Sequence, residues 1–193
     1  MSTNLVVMPG SPSLVRELAP RDRVGVGMVA RLRMLIDATS APIHLVGSRD
    51  PRWETGVEGS FRAWGAPEVT VGEGRFLPEL VQRYVLGEAA SRVVSVRGEI
   101  GDVEPEALTV VAVDGSAGLT QRAPLALLPG AARADEWCRA ILSGESAGDL
   151  PADSGILEPD LWHELAALRP ARAELLESDI THGVGRYVAA WRI

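Results

Sequence analysis

The chain has 193 residues, of which 46% are hydrophobic and 23% are charged, and its formal net charge is −7. This composition suits one folded domain with a sizeable core and excludes a disordered chain. All 19 basic residues are arginines, which excludes Schiff-base chemistry and a P-loop because both need a lysine amine. The single cysteine excludes an internal disulfide and multi-cysteine zinc sites, and the acidic charge disfavours nucleic acid and anionic membranes as partners.

The order of apolar patterns along the chain is typical of an α/β layered domain. Short apolar runs, which predict strands, alternate with segments of helical period. We therefore expect a single domain over residues 1–193, with a central, mostly parallel or mixed sheet flanked by helices. In chain order, the predicted elements are a strand at 5–8, a helix at 24–38, a strand at 42–47, a loop with at most a short strand at 56–71, a helix at 78–90, strands at 93–96 and 108–113, helices at 131–142 and 159–168, a further helical turn at 171–176 and a strand at 185–191.

Three of the predicted strands end in distinctive loops, and ligands of open α/β sheets bind at such strand ends. The loops read Met-Pro-Gly-Ser-Pro-Ser-Leu at 8–14, Val-Gly-Ser-Arg-Asp at 46–50 and Val-Asp-Gly-Ser-Ala-Gly at 113–118. A fourth segment, Thr-His-Gly-Val-Gly-Arg-Tyr-Val-Ala-Ala-Trp, occupies 181–191. In order and spacing, these segments resemble the catalytic subunits of the class III extradiol (aromatic ring-opening) dioxygenases, and in particular the short, mostly uncharacterised actinobacterial members of that family.

The resemblance extends from end to end, but it departs from the family at the functional positions. The family implies an iron(II) ion held by two histidines and a glutamate, with a further histidine as acid or base. Laid on the family pattern, the ligand histidines fall at Gly10 and Arg49 and the acid/base histidine at Ala117. The glutamate would fall at Glu177 or Asp179. Glycine and alanine offer no ligand atoms and arginine repels a metal, so we expect no metal site and no cofactor.

The remaining candidates for chemistry are few. His182, Asp114 and Ser116 are weak catalytic candidates, because His182 precedes the Gly-Val-Gly segment and the other two follow a predicted strand. We expect His44, inside a strand, and His163, on a helix, to have structural or solvated roles. Arg49 has two open interpretations: it binds a carboxylate or phosphate in a bidentate fork, or it forms an internal salt bridge with Asp50 or another carboxylate of the pocket.

The resulting hypothesis is a dioxygenase-like protein without the family's iron-binding histidines, which binds a small anionic or aromatic molecule or serves in assembly. The alternative is an active, metal-dependent oxidoreductase of the extradiol type with a rebuilt site, for which iron(II) would be the cofactor. A third possibility is a structural partner of another subunit. The resemblance implies a homo-oligomer. We expect a cytoplasmic protein, because the sequence shows neither a signal-peptide pattern nor a membrane-length apolar run.

Overall fold

The computed structural model describes residues 3–193, and one mixed sheet of six strands forms its centre. The four strands β5, β2, β6 and β1 are parallel in that order, and β8 and then β7 add antiparallel strands beyond β1. A separate hairpin consists of β3 and β4. The structure thus confirms an α/β fold with a mixed sheet. The strands are β1 (Leu5–Met8), β2 (Ile43–Gly47), β3 (Ser60–Phe61), β4 (Ala66–Thr70), β5 (Val93–Arg97), β6 (Leu108–Ala112), β7 (Arg172–Asp179) and β8 (Arg186–Arg192).

In the described part of the chain, four α-helices cover the two faces of the sheet: α1 (Arg23–Asp37), α2 (Leu77–Leu86), α3 (Ala131–Leu142) and α4 (Pro159–Ala167). Apolar residues of α1 and α2 belong to one core cluster, and those of α3 and α4 belong to the other. Strand β1 contributes alternate side chains to both clusters, which explains its uninterrupted apolar sequence. Among the described residues, no helix is both long enough and apolar enough to cross a membrane.

Two helix boundaries follow from capping. The Asp22 carboxylate accepts a hydrogen bond from the Gly25 amide at 2.9 Å and so begins α1. Helix α2 ends at Leu86, because Gly87 has a φ of +55°, which favours glycine. The prediction that this helix continues to Ala90 is therefore wrong, and a 3₁₀ turn occupies Gly87–Arg92 instead.

The predicted helical turn at 171–176 is also wrong, because the segment belongs to β7. Its alanine, leucine and glutamate residues favour helix as single residues, but pairing with β8 along the whole strand overrides that preference. The sequence does contain the correct signal. Arg172 and Glu174 are exposed whereas Ala173 and Leu175 are half-buried, which is the period of two expected for a strand with one face on the protein.

Candidate functional site

A cavity of about 490 Å³ lies at the carboxyl ends of β1, β2 and β6, where the sequence predicted the site. We call it the strand-end cavity. Loops after these three strands form part of its wall, together with the start of α2 and residues Leu157, Glu158, His182 and Val184. The wall is mainly apolar, and its larger apolar side chains are Trp53, Leu77, Pro78, Val113, Pro124, Leu157 and Val184.

Two of the three positions that the resemblance assigned to the pocket line this cavity. Gly10 and Ala117 are part of its wall, whereas Arg49 is not. The Arg49 guanidinium borders a smaller, separate hollow, where its Nη1 lies 3.2 Å from Glu79 Oε2 and its carbon 4.3 Å from the centre of the Phe76 ring. Of the two interpretations of Arg49, the geometry therefore provides an internal ion pair. The partner is not Asp50, whose carboxylate accepts a hydrogen bond from Arg52.

Asp114 lies two residues after the end of β6, and its half-buried side chain lines the strand-end cavity. Backbone amides of Gly10 and Ser11 donate hydrogen bonds to its carboxyl, while Oδ1 is buried without a partner among the described residues. Burial raises the pKa of Asp114 to about 7, although these amides and the charge of Arg186 act to lower it. The carboxyl group can therefore gain or lose a proton near neutral pH.

His182 lines the same cavity as Asp114, so the structure brings these two candidates to one site. Its imidazole lies on the turn between β7 and β8, and its Nε2 is 3.3 Å from Asp22 Oδ2. The side chain is 48% exposed, so it also reaches solvent at the outer side of the cavity. His182 thus contacts solvent on one side and the Asp22 carboxylate on the other.

The third catalytic candidate, Ser116, does not line the cavity. Its side chain is buried, and its Oγ accepts a hydrogen bond from the Gly118 amide at 3.1 Å. The Ser116 carbonyl accepts another from the Gly185 amide. Its role in this structure is to hold the loop after β6 in shape.

The other two histidines lie away from the cavity, as expected. His44 is buried in β2, and its Nδ1 is 2.6 Å from Ser95 Oγ on the neighbouring strand. His163 is exposed on α4, where its ring meets the edge of Trp137. These contacts correspond to the structural and solvated roles predicted for the two residues.

A buried ionic network beside the cavity is the feature that sequence reasoning missed. Arg186, the first residue of β8, is fully buried and is held between the carboxylates of Asp22 and Asp179. Its Nη2 is 2.6 Å from Asp179 Oδ2, and its Nη1 donates to Ser13 Oγ at 3.0 Å. The signal in the sequence is an arginine that directly precedes the apolar run 187–191 of the closing strand.

This network fixes the protonation of its own groups and supports the cavity wall. Burial acts to raise the pKa of Asp22, but hydrogen bonds from Arg186 and from the Gly25 amide outweigh it and lower that pKa. Ser13, which lines the cavity, also pairs with Ser11 at 2.9 Å between hydroxyl oxygens. The network thus connects the ionic core to the serine-containing loop that borders Asp114.

The residues present do not fit the iron centre that the resemblance implies. Gly10 and Ala117 have no ligand atoms, and Arg49 is a cation directed at Glu79. Of the two carboxylate candidates, Glu177 pairs with Arg31 at 2.6 Å and Asp179 pairs with Arg186. Within residues 3–193, no three histidine, cysteine or acidic side chains are arranged so that they could hold a metal ion.

Comparisons with known proteins add no assignment to this geometry. No protein-family model matches the chain, and no curated protein matches it either.

Proposed function

We propose that the chain binds a small molecule with an aromatic or otherwise apolar body in the strand-end cavity, and that Asp114 receives a cationic or hydrogen-donating group of that molecule. In this proposal the chain is a relative of the extradiol dioxygenases that uses the family's strand-end position for binding and not for iron chemistry. The observation that carries the proposal is the Asp114 carboxyl in a mainly apolar cavity, with its Oδ1 buried and without a hydrogen-bond partner among the described residues.

The size and wall of the cavity support an aromatic ligand. A volume of about 490 Å³ lies within the range of sites for small molecules, which are mostly apolar with a few polar groups that fix orientation. The Trp53 indole is held in place by its N–H, which donates to Glu158 Oε1 at 2.8 Å. It thereby offers an aromatic surface with a fixed orientation to a bound ring.

The charges of the wall determine which aromatic ligands fit. Among residues 3–193, no arginine lines the cavity, and its ionisable side chains are Asp114, Glu158 and His182. His182 already faces the Asp22 carboxylate, and Glu158 has Arg52 at 3.8 Å, so within the described residues Asp114 is the acidic group of the wall without an ion-pair partner. An anionic ligand would meet two carboxyl groups, whereas an amine or a phenol would supply the donor that Asp114 lacks. The proposal therefore favours the aromatic over the anionic class.

Titration calorimetry with three ligands of similar shape tests this proposal. Benzylamine, benzyl alcohol and benzoate share one ring and differ in the charge of the attached group. We expect benzylamine to bind most tightly and benzoate most weakly, because a charged hydrogen bond to a buried carboxylate contributes about 1.5–3 kcal/mol, or roughly 10- to 100-fold in affinity. In the Asp114→Asn variant, benzylamine should lose that advantage over benzyl alcohol.

A second pair of variants separates binding in the cavity from binding elsewhere. Ala117→Leu places a larger side chain into the cavity wall and should weaken all three ligands, whereas Ala132→Leu adds the same atoms on the exposed surface of α3 and should change none. If Ala117→Leu leaves the affinities unchanged, the ligands do not bind in the cavity. Equal affinities for all three ligands would contradict the proposed role of Asp114 in recognising the ligand. They would still be consistent with binding in the cavity.

Acid–base catalysis is a second candidate function, because Asp114 has a pKa of about 7 and shares the cavity with the solvent-exposed imidazole of His182. A base with a pKa near the working pH is suited to proton transfer. Mass spectrometry of the incubated ligands distinguishes the two candidates: ligands recovered unchanged support binding alone, whereas converted product supports an enzyme. The same assay with catechols and iron(II), after anaerobic reconstitution, tests the rebuilt dioxygenase.

A further inference from the structure

One face of helix α1 is exposed and packs against neither core cluster of its own chain. Val26 is 53% and Met34 73% exposed, which makes Met34 the most exposed large apolar side chain among residues 3–193. The exposed positions Arg23, Gly27, Ala30 and Asp37 recur at the three- and four-residue spacing of the same helix face. We call these six residues the α1 stripe. The middle of the stripe consists of apolar residues and residues with small side chains, and each end carries one charged residue.

The end charges of the stripe oppose the dipole of their own helix. Arg23 is in the first turn and Asp37 in the last, although a helix favours acidic residues at its beginning and basic residues at its end. Neither of them forms an ion pair with another residue in the part of the chain that the structure describes. An arrangement that is unfavourable within one chain indicates a contact outside it.

Gly27 is a further departure from what an isolated helix favours. Glycine within a helix is less stable than alanine, and its neighbour Gly25 is explained because a Cβ there would stand 2.5 Å from Asp22 Oδ2. A Cβ at Gly27 would meet nothing within 4 Å, so the fold of one chain gives no reason for this glycine. A small residue on an exposed helix face allows another backbone to approach closely.

The stripe is complementary to itself when a second copy lies antiparallel across it. Arg23 and Asp37 are equally far along the chain from Ala30, in opposite directions, and the same is true of Val26 and Met34. A twofold axis at Ala30 therefore places Arg23 of each copy beside Asp37 of the other and Val26 beside Met34. We propose that the α1 stripe is an antiparallel, twofold-symmetric contact between two copies of this chain.

Contacts within the chain hold the two arginines that flank the stripe to its sides. On one side, Arg31 pairs with Glu177 at 2.6 Å. On the other side, Arg33 donates to the carbonyls of Val85 at 3.0 Å and Tyr84 at 3.3 Å. Of the charged groups of α1, those of Arg23 and Asp37 lie on the stripe itself. A helix of 15 residues is only about 22 Å long, so the contact is small and we expect a reversible dimer.

Sedimentation velocity over a range of protein concentrations, combined with charge reversal, tests the proposal. The single variants Arg23→Asp and Asp37→Arg each place like charges opposite one another and should weaken the dimer by about tenfold or more. The double variant, Arg23→Asp with Asp37→Arg, exchanges the two charges and should restore the dimer to within about threefold of the original chain. Met34→Glu should abolish it.

The double variant also controls for folding, because it puts the acidic residue at the beginning of α1 and the basic residue at its end, as the helix dipole favours. Circular dichroism should show all four variants folded. The proposal is overturned by a chain that stays monomeric at every concentration, by a dimer that the single reversals leave unchanged, or by single reversals that weaken the dimer without rescue in the double variant.

Discussion

Replacing Arg186 with methionine is expected to destabilise the folded chain by about 3–5 kcal/mol, the range for removing one partner from a buried ion pair. Arg186 has no exposed side-chain surface, and its guanidinium compensates the negative charges of two carboxylates, those of Asp22 and Asp179. Methionine has a comparable length and fills most of the space, so the loss reflects uncompensated charge more than an empty volume. Urea unfolding at neutral pH measures the change.

Arg172→Met, on the same hairpin, is the matched control. Arg172 is 75% exposed, and its partner Glu174 is 51% exposed, so the change should stay within about 0.5 kcal/mol. If Arg186→Met is as mild as Arg172→Met, the buried network does not stabilise the fold. Acid should reduce the effect of Arg186→Met: the pKa of Asp22 is lowered in the folded chain, so the stability that this carboxylate contributes is lost as the pH falls through its folded pKa, below its ordinary 3.8.

Asp114→Asn is expected to change how stability depends on pH. The pKa of Asp114 is about 7 in the folded chain and 3.8 is its ordinary value, so between these two values the unfolded chain loses a proton that the folded chain keeps. Ionisation of Asp114 in the unfolded chain therefore reduces stability as the pH rises from about 4 to about 7, by on the order of 4 kcal/mol in total. Asparagine does not ionise, so the variant lacks this decline.

Thermal or urea unfolding of both proteins at pH 4 and at pH 8 measures the difference. The stability of the Asn variant relative to the original chain should increase by several kcal/mol between the two pH values, whatever the effect of the substitution itself at pH 4. A relative stability that is the same at both values would mean that Asp114 ionises in the folded chain as it does in the unfolded chain, and the buried acid would lose its support.

The fold was largely predictable because its central strands are short, buried and mainly apolar segments. Strands β1, β2 and β6 have both faces covered by helices, so their position follows directly from local composition. Strand β7 was not predictable in the same way. It is a partly exposed edge strand whose residues favour helix individually, and only its pairing with β8 determines its conformation.

The place of the candidate site was predictable, but its chemistry only in part. Loops after parallel strands meet at one edge, which brought Gly10, Asp114 and Ala117 to one cavity. The sequence could not show that Arg49 turns to Glu79 instead, because Glu79 lies 30 residues away on another element. For the same reason the Arg186 network was missed, since Asp22 and Asp179 approach Arg186 only after the sheet and α1 have packed.

The most direct test of binding in the strand-end cavity is an ¹H–¹⁵N NMR titration of the whole chain with benzylamine. We expect saturable shifts centred on the amides of Gly10, Ser11, Gly115 and Ala117, which line the cavity beside the Asp114 carboxyl. Shifts that never saturate would contradict the proposal. So would saturable shifts centred on the separate hollow that residues 144–147 line, which shares no residue with this cavity.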